Sequence, residues 1–271
     1  MTDSRRNEQY PLMVSRTSLR ASRLAQIQQM LQGADAVTIG QLTDQLGVSE
    51  ATIRRDLDAL QRSGLVQRTH GGAIATQASE LPYPARNTRQ VLEKKAIARV
   101  AATMVSAGDT VFIGGGSTTL RLAEALVDVA ITVVTNSIPV ATELSRGRHG
   151  QVIVVGGSVR TPELSLVGPR AVDGIRSYRA TIAFLGVPAL DSEHGFTADG
   201  DVEAATDSAF IDMAQHTVVL ADHTKLGRVS TRRVVPLEAL HTVITDPGAT
   251  PSVIDELRAA GTQVIVAELS P

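Results

Sequence analysis

Cysteine and tryptophan are both absent from the 271 residues. Without thiols there is no disulfide, no thiolate metal site and no cysteine nucleophile. Aromatic residues make up only 3% of the chain. Its core must therefore be built from Ala, Val, Ile and Leu, which suit buried parallel strands and their covering helices. The six histidines are scattered, with no HxxxH or HxxE spacing, so no metal site is expected. No apolar run reaches the roughly 18 residues that a membrane span needs, and the first residues lack the apolar stretch of a secretory signal. The expectation is a cytoplasmic protein with no membrane contact.

What is present points to a folded chain of more than one domain. Hydrophobic residues are 43% and charged residues 20%, a globular balance. The length accommodates a small module beside a domain large enough for a full core. The net charge of −2 is unevenly placed: residues 1–75 carry nine Arg against seven acids, a net of +2, and the remainder carries −4. Five of those arginines are Arg5, Arg6, Arg16, Arg20 and Arg23. The asymmetry has the sign expected of a nucleic-acid-binding end, although a charged, soluble tail explains the early arginines equally well.

Residues 1–17 are polar and aperiodic and read as a disordered basic arm. From Ser18 a helix is expected, with Leu24, Ile27 and Leu31 on one face and Gly33 ending it. Val37-Thr38-Ile39 leads into a short helix over Gly40–Leu46, and Gly47-Val48-Ser49 forms a tight turn. Ser49 is placed to N-cap a helix over Glu50–Ser63, with Ile53, Leu57 and Leu60 as its inward stripe and Gly64 as its end. Leu65–Thr69 and Ala73–Thr76 read as two strands joined at Gly71-Gly72. This order is a winged helix-turn-helix spanning residues 18–76. In it the helix over Glu50–Ser63 and its cap present Ser49, Thr52, Arg54 and Arg55 outward. The two hydroxyls suit phosphate or base edges near a helix N-terminus, and the two guanidinium groups suit phosphate or guanine. Asp56 and Asp58 are expected to hold arginines or to sit in solvent. The plainer alternative is a small helical domain with an exposed Arg pair.

Residues 77–92, with prolines at 82 and 84, read as a linker. From residue 93 to the end, helices alternate with short apolar runs. Strands are expected at Thr110–Ile113, Ile131–Thr135, Gln151–Val155, Thr181–Leu185, Thr217–Ala221, His241–Thr245 and Gln263–Ala267. Helices are expected at Glu93–Ser106, Thr118–Val127, Pro139–Ser145, Val202–Ala214 and Pro251–Ala260. Continuous apolar strands alternating with helices imply an α/β domain with a mostly parallel sheet covered on both faces.

The strongest chemical feature of that domain is the run from Thr110 through Gly114-Gly115-Gly116 to Ser117-Thr118-Thr119. A strand meets glycines and hydroxyl residues, and a helix begins. Backbone amides at Gly115 and Gly116, the hydroxyls of Ser117, Thr118 and Thr119, and the helix dipole together suit a phosphate. The run lacks the Lys of a Walker A loop and the last Gly of GxGxxG, and a tight turn is its plainer reading. Lys94, ahead of the stripe Ile97, Ala101 and Met104, is placed to reach an anion from the inward face. Asn136, Gly157, Asp222 and Lys225 follow strand ends, where ligands of open α/β sheets gather. Alternatively Asn136 caps a helix, and Asp222 with Lys225 forms a surface ion pair.

The string VSEATIRRDLDALQRSGLVQRTHGGA strongly resembles the DeoR family of transcriptional regulators, the DeoR and GlpR type. The match lies in Val48, Ser49, Thr52 to Leu57, Leu60, Gly64 and His70 to Ala73. It continues through Glu93-Lys94, Gly116 to Thr119, Thr135-Asn136-Ser137, Gly156-Gly157, Asp222 and Lys225-Leu226-Gly227. The stretch from Lys94 to Thr119 is also similar to the phosphate-binding start of ribose-5-phosphate isomerases. The resemblance implies wing contacts from Arg68 and His70, though His70 also suits a surface turn. It implies a sensor domain that releases a double-stranded DNA operator when a phosphorylated sugar or pathway intermediate binds. A homodimer or homotetramer is expected because one small module of net charge +2 binds DNA weakly, and no cofactor and no catalytic residue are expected. Two features depart from the family pattern. Gly114 stands where an acid is usual, and the segment after Glu203 lacks the usual basic residue. Two other functions stay open: a C-terminal domain that only oligomerises, and an active sugar-phosphate isomerase drawing a base from Asp199, Asp201 or Glu203 in one polar loop.

Overall fold

The structure is a computed structural model, and it describes residues 23–24, 26–27, 30–31, 36–62, 66–69, 71–75, 83–161 and 163–269. The chain divides into two compact units, residues 1–79 and 80–271. The expected arm, residues 1–17, and residues 77–82 of the expected linker lie outside the described residues.

The first unit runs β1 (Ala36–Thr38), α1 (Ile39–Leu46), α2 (Glu50–Arg62), β2 (Val66–Arg68) and β3 (Gly72–Ala75). Thr38 and Gln41 form a reciprocal capping box at the start of α1, satisfying two amides that have no intrahelical acceptor. Residues 23–24, 26–27 and 30–31 are helical. Ile27 and Leu31 pack with Leu42, Ile53, Leu57, Leu60 and Val66 in one core. Each of these fully buried side chains contributes about 1.5–3 kcal/mol from area removed from water. The stripe expected on α2 is therefore the one buried. Strand β3 pairs antiparallel with both β1 and β2, giving a three-stranded wing sheet beside the two helices.

In chain order the second unit begins with α3 (Tyr83–Asn87), α4 (Val91–Ala102), β4 (Thr110–Ile113), α5 (Ser117–Leu126), β5 (Thr132–Thr135), α6 (Ile138–Leu144) and β6 (Gln151–Val154). There follow a hairpin of β7 (Ser158–Arg160) and β8 (Ser165–Val167), then α7 (Pro169–Arg176), β9 (Ala180–Gly186), β10 (Ala189–Asp191) and β11 (Gly195–Ala198). The chain finishes with α8 (Asp201–Asp212), β12 (Ala214–Leu220), β13 (Arg232–Val235), β14 (Thr242–Thr245), α9 (Pro251–Ala259) and β15 (Gln263–Val266).

Seven strands form one sheet in the order β15-β14-β12-β9-β4-β5-β6, and every pairing in it is parallel. Alternate strand residues enter separate cores. Phe112, Val134, Ala183, Leu185 and Val219 face Ala171 and Ile175 of α7, Phe210 of α8 and Leu257 of α9. Val111, Ile113, Val133, Phe184 and Val218 face α4, α5 and α6. Both faces are covered, which is why the strands read as unbroken apolar runs. All seven lie where the apolar runs place them. From β4 the chain winds outward to β5 and β6, then returns to set β9 on the other side of β4. The winding reverses between β4 and β9, and a crevice opens beyond their carboxyl ends.

Four features differ from the sequence expectation. Residues 83–87, read as linker, are helix α3; Pro84 lies in its first turn, where a missing N–H costs nothing. Val91 and Leu92 of the same stretch already belong to α4. The hairpin β7–β8 and helix α7 interrupt the expected alternation. Strands β10, β11 and β13 form a separate antiparallel sheet, too short at three or four residues each to carry a periodic signal.

Candidate functional site

On the first unit, α2 buries Ile53, Leu57 and Leu60 and leaves Glu50, Arg54 and Arg55 exposed. The Ser49 and Thr52 hydroxyls lie 3.0 Å apart, and Ser49 Oγ accepts from the Thr52 amide at 3.4 Å. Ser49 thus caps the helix and keeps both hydroxyls at its N-terminus. Arg54 makes an exposed i,i+4 pair with Glu50 at 3.3 Å, a weak contact that is readily exchanged for another anion. Arg55 is exposed and pairs with none of the described residues. Asp56 is buried and accepts from Arg23 Nε at 2.6 Å. Arg68, expected at the wing surface, is paired with Asp58 and so ties β2 to α2. His70 lies outside the described residues.

On the second unit, a cleft enclosing about 530 Å³, mouth included, sits at the reversal between β4 and β9. Gly115 and Gly116 line one wall, and Gly186, Val187 and Pro188 leave β9 opposite them. Gly116 has φ +146°, a conformation that L side chains rarely adopt, and it turns the chain from β4 into α5. Ser117, Thr118 and Thr119 are buried in the first turn of α5, and Thr119 Oγ1 donates to the Gly116 carbonyl at 3.0 Å. Leu120 N is the first amide of α5 bonded back into the helix, to Gly116 O. The preceding amides point out of the helix end, as at any N-terminus that receives an anion.

Asn136 follows β5 and is 4% exposed. Its Nδ2 donates to Leu166 O at 3.1 Å. Its Oδ1 is buried with no hydrogen-bond partner among the described residues, and it lies 4.0 Å from where a Gly115 Cβ would be. The remaining wall carries four charged groups, Arg86 of α3, Glu163 of the β7–β8 hairpin, and Glu203 and Asp207 of α8, set among Ser165, Val167, Ala198 and Thr206. Arg86 and Glu163 form a buried ion pair. Arg160 lies 3.4 Å from Glu163 and 2.8 Å from Glu203.

The cation in the cleft wall thus comes from α3, and Arg160 of β7 stands behind it against Glu163 and Glu203. Arg86 is invisible to a reading that makes residues 77–92 a linker; proline in the first turn of a short helix was the available signal. No local signal marks Glu163 or Arg160. At Gly114 a Cβ would fall 2.8 Å from Leu185 Cδ2, and Leu185 is fully buried. The place an acid would take is filled by that leucine.

Seven expected site residues lie outside the cleft wall: Ser117, Thr118 and Thr119, buried behind Gly116 in the first turn of α5, and Lys94, Gly157, Asp222 and Lys225. Lys94 faces inward, but its Nζ donates at 2.7 Å to the carbonyls of both Arg86 and Arg89. It therefore supplies donors to the end of α3 and to the turn that follows it. Burial lowers its pKa to about 8, against the pull of Asp222, whose Oδ2 is 3.9 Å away. Asp222 Oδ1 accepts from Thr224 N and Oγ1, and Lys225 closes the same single 3-10 turn. Gly157 opens β7, where a Cβ would come 2.7 Å from the Val167 carbonyl; it permits close packing of the hairpin.

Comparison with known proteins matches both units. The DeoR-like helix-turn-helix domain matches residues 23–78, and the DeoR C terminal sensor domain matches residues 89–247. The HTH-type transcriptional regulator GlpR of Haloferax volcanii is 34% identical over 91% of this chain and 98% of its own length. The transcriptional repressor AccR of Agrobacterium fabrum is 34% identical over 83% of this chain and 89% of its own. The glycerol-3-phosphate regulon repressor of Escherichia coli is 31% identical over 82% and 88%. Among solved structures, ribose 5-phosphate isomerase A of Methanocaldococcus jannaschii aligns with a TM-score of 0.38 at 16% identity, over 51% of this chain and 55% of that one.

Proposed function

The chain belongs to the DeoR family of transcriptional regulators, and on that premise we propose that it represses a carbohydrate or related metabolic operon and leaves its operator when a phosphorylated sugar or pathway intermediate binds the cleft. The observation that carries the proposal is the composition of that cleft. One end offers the amides at the start of α5 and the Arg86 guanidinium, groups that take an anion. The other offers acceptors, Asn136 Oδ1 and the carboxylates of Glu203 and Asp207, which take hydroxyl donors. A polyhydroxylated phosphate ester has both chemistries.

On the DNA side, Ser49, Thr52, Arg54 and Arg55 stand at the exposed face and N-terminus of α2. Arg68 acts through the wing it braces. The protein works as a homodimer or homotetramer in the cytoplasm, since two recognition helices on adjacent half-sites multiply the weak binding of one. No helix among the described residues is long and apolar enough to cross a membrane.

The cleft is a sensor rather than a catalyst. The three carboxylates that could supply a base from this segment are engaged: Ser230 donates to Asp199, Asp201 pairs with Arg232, and Glu203 lies against Arg160. Asp201 and Glu203 stand in the first turn of α8 rather than in a loop.

The test is binding of the purified protein to fragments of its own upstream region at fixed salt, with and without a panel of phosphorylated sugars. Specific binding released by one compound supports the proposal. Specific binding that no compound alters removes the effector half, and turnover of ribose 5-phosphate overturns the sensor reading.

A further inference from the structure

Two non-glycine residues among the described ones have positive φ, and both flank the same ion pair. Gln90, φ 46°, lies four residues after Arg86, and Leu164, φ 54°, directly follows Glu163. For a bulky side chain such as Leu this backbone region is disfavoured and persists only where the surroundings impose it. The impositions are visible. Leu164 O accepts from the Ile138 amide at 3.0 Å, and Lys94 clamps the carbonyls of Arg86 and Arg89. The Arg86–Glu163 pair is thus held from both sides, in the wall of a cleft whose end at the start of α5 suits an anion.

Resting on the reading of this cleft as the effector site, we propose that Glu163 is a built-in competitor for the effector's anionic group: it holds Arg86 in the unliganded protein and is displaced when a phosphate takes the guanidinium. A guanidinium fork binds carboxylate and phosphate with the same donors, so Glu163 and the ligand exclude one another there. Phosphate, with charge near −2 at neutral pH, outcompetes one carboxylate. A neutral sugar does not, so Glu163 sets the charge requirement of the site. The displaced carboxylate retains a partner in Arg160, 3.4 Å away.

Displacement also has a mechanical consequence. The pair joins the β7–β8 hairpin to α3, and α3 follows residues 76–82, the segment that leads from the first unit into the second. Losing the pair frees the point at which the chain enters the sensor unit. The ligand then binds better to the form without that contact, which is the differential affinity a switch needs.

The test is calorimetric titration of the full chain with inorganic phosphate, using the wild type, Glu163→Gln, Arg86→Gln and the double variant. Glu163→Gln is expected to bind phosphate about tenfold more tightly or better, the equivalent of removing a competitor worth at least one decade. Arg86→Gln loses that binding, and the double variant is no better than Arg86→Gln. A folded Glu163→Gln protein that binds phosphate as the wild type does, or more weakly, overturns the proposal, because a bracing role alone gives that result. If Glu163→Gln does not fold, amide exchange of the wild type decides. Phosphate should speed exchange at Ser158 to Arg160, and added protection there overturns the proposal.

Operator release separates the two readings. Release of the wild type by a phosphorylated sugar, without tighter phosphate binding by Glu163→Gln, sinks the competitor and leaves the effector site standing. Absence of phosphate binding in every variant, with no compound affecting DNA, sinks both.

Discussion

Lys94 and Arg86 meet through the backbone: the Lys94 ammonium donates to the Arg86 carbonyl at 2.7 Å, while the Arg86 side chain crosses to Glu163. A buried cation therefore positions the backbone of a cleft residue without lining the cleft itself. The ammonium is taken out of water for this, and burial is the main cause of its lowered pKa.

That arrangement makes stability depend on pH in a defined window. In the unfolded chain the Lys94 amine keeps its proton up to about 10.5, and in the folded protein only to about 8. Between these values unfolding takes up a proton, so raising the pH through the window stabilises the fold, by something on the order of 1–3 kcal/mol. Lys94→Met lacks the titration. Denaturant unfolding of both proteins from pH 7.5 upward should show the wild type gaining on the variant; parallel curves would refute the assignment.

Arg55 has no partner among the described residues, whereas Arg54 shares its charge with Glu50. Arg55→Ala should weaken binding to specific and unrelated DNA alike and reduce the slope of log affinity against log salt by about 1. Fluorescence anisotropy at four salt concentrations measures this. A loss confined to one base position would mean that Arg55 reads a base edge instead.

Asp56→Ala leaves Arg23 without its carboxylate in the core of the first unit. Arg23 keeps some contact with solvent, so the expected loss is about 2 kcal/mol, below the 3–5 typical of a fully buried pair. Amide exchange in α2 should accelerate accordingly, and unchanged exchange would place the pair among ordinary surface contacts.

Gly116→Ala forces a Cβ onto a backbone at φ +146°, 3.2 Å from Thr119 Oγ1. The expected cost is about 1–3 kcal/mol, read as a lower melting temperature, together with loss of phosphate-induced stabilisation. A variant that melts like the wild type and is still stabilised by phosphate would show that the turn tolerates a side chain.

Much of this architecture is local. Ile53, Leu57 and Leu60 recur at helical spacing, so the buried face of α2 is written into its thirteen residues. The seven sheet strands are apolar runs because each is covered on two faces. The departure at Gly114 was legible as an absence, but its cause, Leu185 filling the space, was not. The cleft shows the limit most clearly. Gly115, Gly116 and Asn136 were marked by their position after strands. Arg86 was hidden in a segment whose prolines suggested a linker, and Lys94 was traced to the inward face without its target being visible.

By itself the sequence determined the helix-turn-helix, the seven strands of the large sheet and the family, since helical and strand periodicities and the helix-turn-helix string act over a few residues at a time. The tertiary structure alone decided the order of the strands, and with it where β4 and β9 diverge to open a cleft. It alone brought Arg86 to Glu163, 77 residues away in the chain. Hydrophobic burial repeats along an element and leaves a periodic trace. An ion pair between a short helix and a hairpin depends on which surfaces the completed sheet sets side by side.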